Sequence, residues 1–244
     1  MRTGTGSLWW VLAVWSILMA CGSDRVHDAD RSVVRSPERL VRDTLALDSL
    51  LNEAIRHQMA GRQEANRMLL FRAMRVGEAS MSFFRKPEAD EIEGRLMNVY
   101  SLLATSYLAS SEQDSAIHVA RAGARLAEAA RDSSRLNRFY LNIARCYSQL
   151  NDDASALEWL ERAQGLAGGL EGGDLGELHV NMANVLRRLG RHAEAMERVH
   201  TAQGHWSAMR AKSRVDLYSV LIFEYSRTGE LDSLGRYVRL MRDL

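Results

Sequence analysis

Leu141 to Ala163, LNIARCYSQLNDDASALEWLERA, reads as two short amphipathic helices broken at Asn151. Small, aromatic or larger apolar residues stand at Ala144, Tyr147, Ala156, Leu160 and Ala163, spacings of three and four that collect them on one face of each helix. The same offsets recur on both sides. Ala104, Tyr107, Ser111, Ala116, Ala120 and Gly123 precede this copy, and Ala183, Leu186, Gly190, Ala195, Val199 and Ala202 follow it. A further copy runs Ile222, Tyr225, Gly229, Leu234, Val238, Met241. The four copies start 40, 39 and 39 residues apart. A first copy, Ala54, His57, Gly61, Asn66, Leu70, Ala73, keeps the offsets but puts polar residues in two apolar slots. It stands 50 residues before the next, with Met81 to Pro87, MSFFRKP, as the expected insertion. Self-similarity at a fixed period makes the chain a repeat array.

Composition agrees. The chain has 244 residues, 26% of them charged and 46% hydrophobic, which is ordinary for a folded domain. Two prolines, Pro37 and Pro87, leave long stretches free to be helical, and no strand pattern competes. Lys and Arg total 32 against 31 acids, a balance that gives no reason to expect a nucleic-acid partner. HExxH, zinc-spaced Cys and His, and a Gly-rich phosphate loop after a strand are all absent, so neither an enzyme nor a cofactor or metal site is expected. Cys146, beside Tyr147 in the best copy, reads as a buried structural thiol.

Residues 1–20 are a different kind of sequence. Arg2 precedes a twelve-residue apolar run, Leu8 to Met19, too short to span a bilayer comfortably but suited to the core of a signal peptide. It ends in Leu18-Met19-Ala20-Cys21, which resembles a bacterial lipobox. That resemblance implies cleavage before Cys21, acylation of Cys21 with palmitate or a similar chain, and a body tethered at the periplasmic face of a membrane. An uncleaved membrane anchor is the alternative. Gly22, rather than Asp, after the Cys favours the outer over the inner membrane by the same resemblance. Residues 21–36 are polar and aperiodic, as a flexible tether is, and residues 37–244 hold the repeats.

The repeat pattern resembles the tetratricopeptide repeat (TPR): a small residue, an aromatic three later, a turn residue after four more, then Ala, a larger apolar and Ala. The resemblance implies an all-α fold, a right-handed α-α superhelix of about five helical hairpins. The period exceeds the family's 34 residues, so the extra length is expected in longer helices and in loops such as Gly165 to Gly176. Ser36-Pro37 and Lys86-Pro87-Glu88 read as helix starts; Ser111 with Asp114, and Asp174 with Glu177, have capping-box spacing.

By the same resemblance, the positions two before and one after the small residue line a concave binding face. These are Asn142 and Arg145 in the third copy and Asn181 and Asn184 in the fourth, with Arg138, Arg187 and Arg188 a turn away and Glu177 the nearby acid. Asn offers a donor and an acceptor to an extended peptide, and Arg grips a carboxylate with two donors. The same residues would also serve as an ordinary solvated face. The expectation is a non-enzymatic scaffold or adaptor for a protein or peptide. Alternatives are a sensor module serving a separate signalling or envelope-assembly partner, or a part of a nutrient-uptake or β-barrel assembly complex. The apolar stripe Leu231, Leu234, Tyr237, Val238, Met241 and Leu244 offers a surface for self-association.

Overall fold

A computed structural model describes residues 37–243. Among the described residues there are ten α-helices and no strand. They form five hairpins: α1 (Pro37–Met59) with α2 (Gln63–Phe83), α3 (Glu88–Ala109) with α4 (Gln113–Ala129), α5 (Ser133–Gln149) with α6 (Asp153–Gln164), α7 (Gly172–Arg188) with α8 (His192–Gln203), and α9 (Ala211–Thr228) with α10 (Leu231–Arg242). Each first helix touches its partner and the first helix of the next hairpin, the contact pattern of a helical solenoid. The leader, Cys21 and the tether expected for residues 21–36 lie outside the described residues, as does Leu244.

Every hairpin turns on the residue that the repeat spacing marks as its turn. Gly61, Ser111, Asn151, Gly190 and Gly229 all sit at positive φ, between 59° and 77°. That left-handed residue closes the first helix with a Schellman pair. In the third hairpin Asn151 N–H donates to Ser148 C=O (3.2 Å) and Asp152 N–H to Tyr147 C=O (2.9 Å). The aromatic position of the repeat therefore supplies the capped carbonyl: His57, Tyr107, Leu186 and Tyr225 accept the equivalent bond in the other four. Asp152 then starts α6, its carboxylate accepting from Ser155 N–H at 3.1 Å.

Small residues let the helices approach. Ala54, Ala104, Ala144 and Ala183 on the first helices, and Ala73, Ala120, Ala163 and Ala202 on the second, are at most 2% exposed. Gly123 holds the last slot of its copy because a Cβ there would come within 2.3 Å of the Phe139 ring. The core divides into three clusters along the array, and α5 and α7 each serve two of them. Ile143 and Cys146 of α5 face the first, Leu141 and Ala144 the second; Leu178 and Met182 of α7 face the second, Val180 and Ala183 the third. Asn66, polar in an apolar slot, is 1% exposed and donates to Ala54 C=O at 2.8 Å, so it bonds the two helices of its hairpin.

Four local expectations change. MSFFRKP is not one loop: Met81 to Phe83 end α2, and only residues 84–87 connect it to α3. The longer first spacing goes into helices of 23, 21 and 22 residues. Ser111 is the left-handed turn residue, not a cap; Glu112 stands before α4 without a capping side-chain bond. Asp174 and Glu177 form no capping box, because α7 already begins at Gly172. Gly165 to Gly176 is likewise only half loop: a short 3-10 turn spans Ala167–Gly169, and Gly172, Gly173 and Gly176 are helical. A Cβ at Gly173 would lie 2.7 Å from Ala208 O and one at Gly176 2.6 Å from Met209 Cγ, so these glycines admit the following inter-hairpin loop against α7. A sixth left-handed residue, Arg131, turns α4 into α5, where Asp132 caps Arg135 N–H at 2.9 Å.

The last helix has no buried residue. Tyr237 and Met241 pack on the third cluster, with Tyr237 stacked on Tyr225 at 5.6 Å. Leu231, Val238 and Leu240 stay 75%, 48% and 38% exposed.

Two stability measurements check this description. Ser111 bears the cost of a left-handed conformation that Gly avoids, so Ser111→Gly should stabilise by about 1 kcal/mol and Ser111→Val destabilise by at least as much. Equal melting temperatures for the three proteins would contradict the turn. His179 is buried with an unpartnered Nδ1, and burial first, then Arg198 and His205, lowers its pKa below the usual value. Its folded pKa lies under its unfolded one, so the neutral form is favoured by folding. That contribution is complete above about pH 6.5 and is lost as pH falls through the lowered value. The fall in melting temperature from pH 7 to pH 5 should be shallower in His179→Gln than in the wild type.

Candidate ligand groove on the concave face

The first helices α3, α5, α7 and α9 line a groove with two adjoining chambers. The smaller, about 160 Å³, is walled by Ser101 and Thr105 of α3, Asn137, Arg138, Leu141, Asn142 and Arg145 of α5, Asp174 and Glu177 of α7, and Arg210 just before α9. The larger, about 440 Å³, is walled mainly by Leu108, Ala109, Ala144, Leu160 and Val185, with Asn181, Asn184, Arg188 and the pair Lys212 and Asp216 at its polar edges. Thr105 and Arg145 belong to both chambers.

Electrostatics in the small chamber centre on Glu177, which is 8% exposed. One carboxylate oxygen accepts from Arg145 Nη2 at 2.8 Å and the other from Arg210 Nη2. Glu177 thus bonds α5 on one side and the start of α9 on the other. Arg210 also lies 3.9 Å from Asp174, whose second oxygen accepts from Ser134 Oγ at 3.1 Å.

The seven residues expected on this face divide by what they touch. Arg145 is committed to Glu177. Arg188 lies along the edge of Asp153, its Nε 2.9 and 3.0 Å from the two carboxylate oxygens, and Nη2 also reaches Ser148 Oγ at 2.8 Å. Arg187 lines neither chamber; its guanidinium sits 4.3 Å from the Phe223 ring centroid. Asn181 donates to Glu177 C=O of its own helix at 2.8 Å. Asn184 and Arg138 form no hydrogen bond or ion pair with other described residues, and Arg138 is exposed at the chamber wall. Asn142 is 5% exposed and its Nδ2 has no partner. Glu177 is joined by Asp153 and Asp174, so the patch is less basic than its sequence suggests.

Three residues of the groove carried no assignment in the sequence. Asn137 is 1% exposed with an unpartnered Oδ1; it lies seven residues before Ala144, two turns along the same face, which is the signal that would have found it. Thr105 follows the small residue Ala104, at the position Arg145 holds in the next copy. Arg210 comes from a loop and has no periodic signal.

Among the described residues no cluster of three His, Cys, Asp or Glu could hold a metal ion. Cys146 is fully buried, and burial pushes its thiol up to about 11, so it stays protonated at neutral pH.

Comparison with known proteins places the fold. Residues 138–168 match the tetratricopeptide repeat family, over the third hairpin. The chain is similar to the putative kinesin light chain with nearly identical TPR-like repeats from Podosopora anserina: 18% identity, TM-score 0.60, over 81% of this chain and 93% of that one. It is similar to aspartyl phosphate phosphatase F from Bacillus subtilis at 14% identity and TM-score 0.67, over 82% of this chain but half of that one. BtubC from P. vanneervenii matches at 14% identity and TM-score 0.54, over 86% and 91% of the two chains. No curated protein matches the chain in sequence. The architecture is an all-α, TPR-like superhelix.

Proposed function

We propose that this chain is a non-enzymatic scaffold that holds an extended segment of another protein in its concave groove, and that Cys21 anchors it to a membrane. The observation that carries the first half is the run of unpartnered polar groups in the two chambers. Asn137, Asn142 and Asn184 line the groove without a hydrogen bond to the protein, beside the exposed Arg138. Leaving a buried amide unpaired costs free energy that a ligand recovers. A peptide main chain presents donors and acceptors in alternation along its length, which suits a lining of Asn and Thr better than one of a single charge sign. The apolar floor of the larger chamber, Leu108, Leu160 and Val185, accepts one aliphatic side chain of such a segment.

The anchor rests on sequence. The apolar run ending in Leu18-Met19-Ala20-Cys21 supports acylation of Cys21, and Gly22 supports the periplasmic face of the outer membrane. Self-association is a second use of the surface, favoured only by the exposed Leu231, Val238 and Leu240 on α10.

Each half has its own test. Full-length protein solubilised in mild detergent should capture a partner from an envelope extract, and Arg138→Glu with Asn184→Ala should reduce that capture at least about tenfold. Neither residue makes a hydrogen bond or a close ion pair within the protein, so the variant should keep its fold by circular dichroism and melting. Undiminished capture by that variant rules out the groove. Cells grown with labelled palmitate should label the wild type and not Cys21→Ser; label retained on Cys21→Ser rules out the lipid anchor.

A further inference from the structure

The two chambers differ in a way that specifies what the small one reads. We infer that it receives a side-chain carboxamide, a Gln or Asn of the bound segment, while the larger chamber takes a neighbouring aliphatic residue. The inference rests on the groove reading above and names its ligand chemistry.

Size comes first. A chamber of about 160 Å³ is close to a cavity that admits one benzene-sized molecule, so it holds one side-chain head group and no second stretch of backbone. Pairing comes next. Asn137 is 1% exposed and Asn142 5%, and neither makes a hydrogen bond to the protein through oxygen or nitrogen. Asn137 Oδ1 lacks a donor and Asn142 Nδ2 lacks an acceptor, so a ligand group that pairs both must supply both kinds.

The candidate head groups can be sorted on that basis. A carboxylate brings acceptors only; it can pair the amide nitrogens but not their oxygens. An ammonium brings donors only and meets Arg138, Arg145 and Arg210. An aliphatic group leaves both buried amides unpaired. A carboxamide carries two N–H donors and a carbonyl in one plane and no charge, and so serves both Asn side chains.

The test uses full-length protein in detergent and a positional-scanning library of N-acetylated, C-amidated hexapeptides, whose blocked ends remove terminal charges. Retained peptides should show Gln or Asn enriched at one position, next to or two away from a Leu, Ile or Val. The best hexapeptide, labelled and followed by fluorescence anisotropy, should lose about tenfold in affinity when that Gln becomes Glu or Leu. In Asn137→Leu and Asn142→Leu the preference for Gln over Leu at that position should disappear. The ligand-side exchange reads the same preference in the unaltered protein, should either variant fold poorly. Peptides retained with Glu or Asp preferred, or with no preference, overturn the carboxamide and leave the groove reading standing. A library from which nothing is retained overturns the groove reading and the carboxamide with it.

Discussion

One left-handed residue per hairpin sets the geometry of the molecule. A helix can be ended in several ways, but a positive-φ residue four places after the aromatic position ends it at a fixed carbonyl and sends the chain back alongside itself. The distance from that turn to Ala144 on one side and Ala156 on the other is the same in every copy, and in the second, third and fourth hairpins both positions are buried alanines, which lets the two backbones close up. The stacking of hairpins follows. Phe139 reaches Gly123 of the preceding hairpin, and α5 and α7 each divide their apolar residues between two neighbouring cores.

Features that depend on near neighbours in the chain were legible in the sequence. The five turn residues, the alanine contacts and the number of hairpins come from offsets of three, four and five residues, which are fixed by helix geometry alone. What could not be read depends on which hairpin lies opposite. Met81 to Phe83 are helical because α2 extends along its longer neighbours. Gly173 and Gly176 are helical glycines because Ala208 and Met209, more than thirty residues on, press against them. Arg131 gave no sign of a left-handed turn, since Arg rarely adopts one.

The same division explains the groove. Its position and most of its lining follow from the small residue of each first helix. The charge state of that lining does not, because an Arg on one helix finds its acid on another: Arg145 on Glu177, Arg188 on Asp153. Counted along the chain, Arg138, Arg145, Arg187 and Arg188 form a basic patch; placed in space, two are ion-paired, one lies over Phe223, and Arg138 stands apart. Asn137 is quiet in the sequence because a buried amide and an exposed one look alike until its surroundings are known.

Glu177 has a mechanical consequence. Its two carboxylate oxygens are held by guanidinium groups from different hairpins, so α5, α7 and the start of α9 are fastened across the inner curve of the array. Ser134 to Asp174 and Arg188 to Ser148 add two more directional contacts between α5 and α7, and such bonds tolerate sliding less than apolar contact does. The fastening therefore acts as a short tie across the array: one side chain holds the span between three successive hairpins.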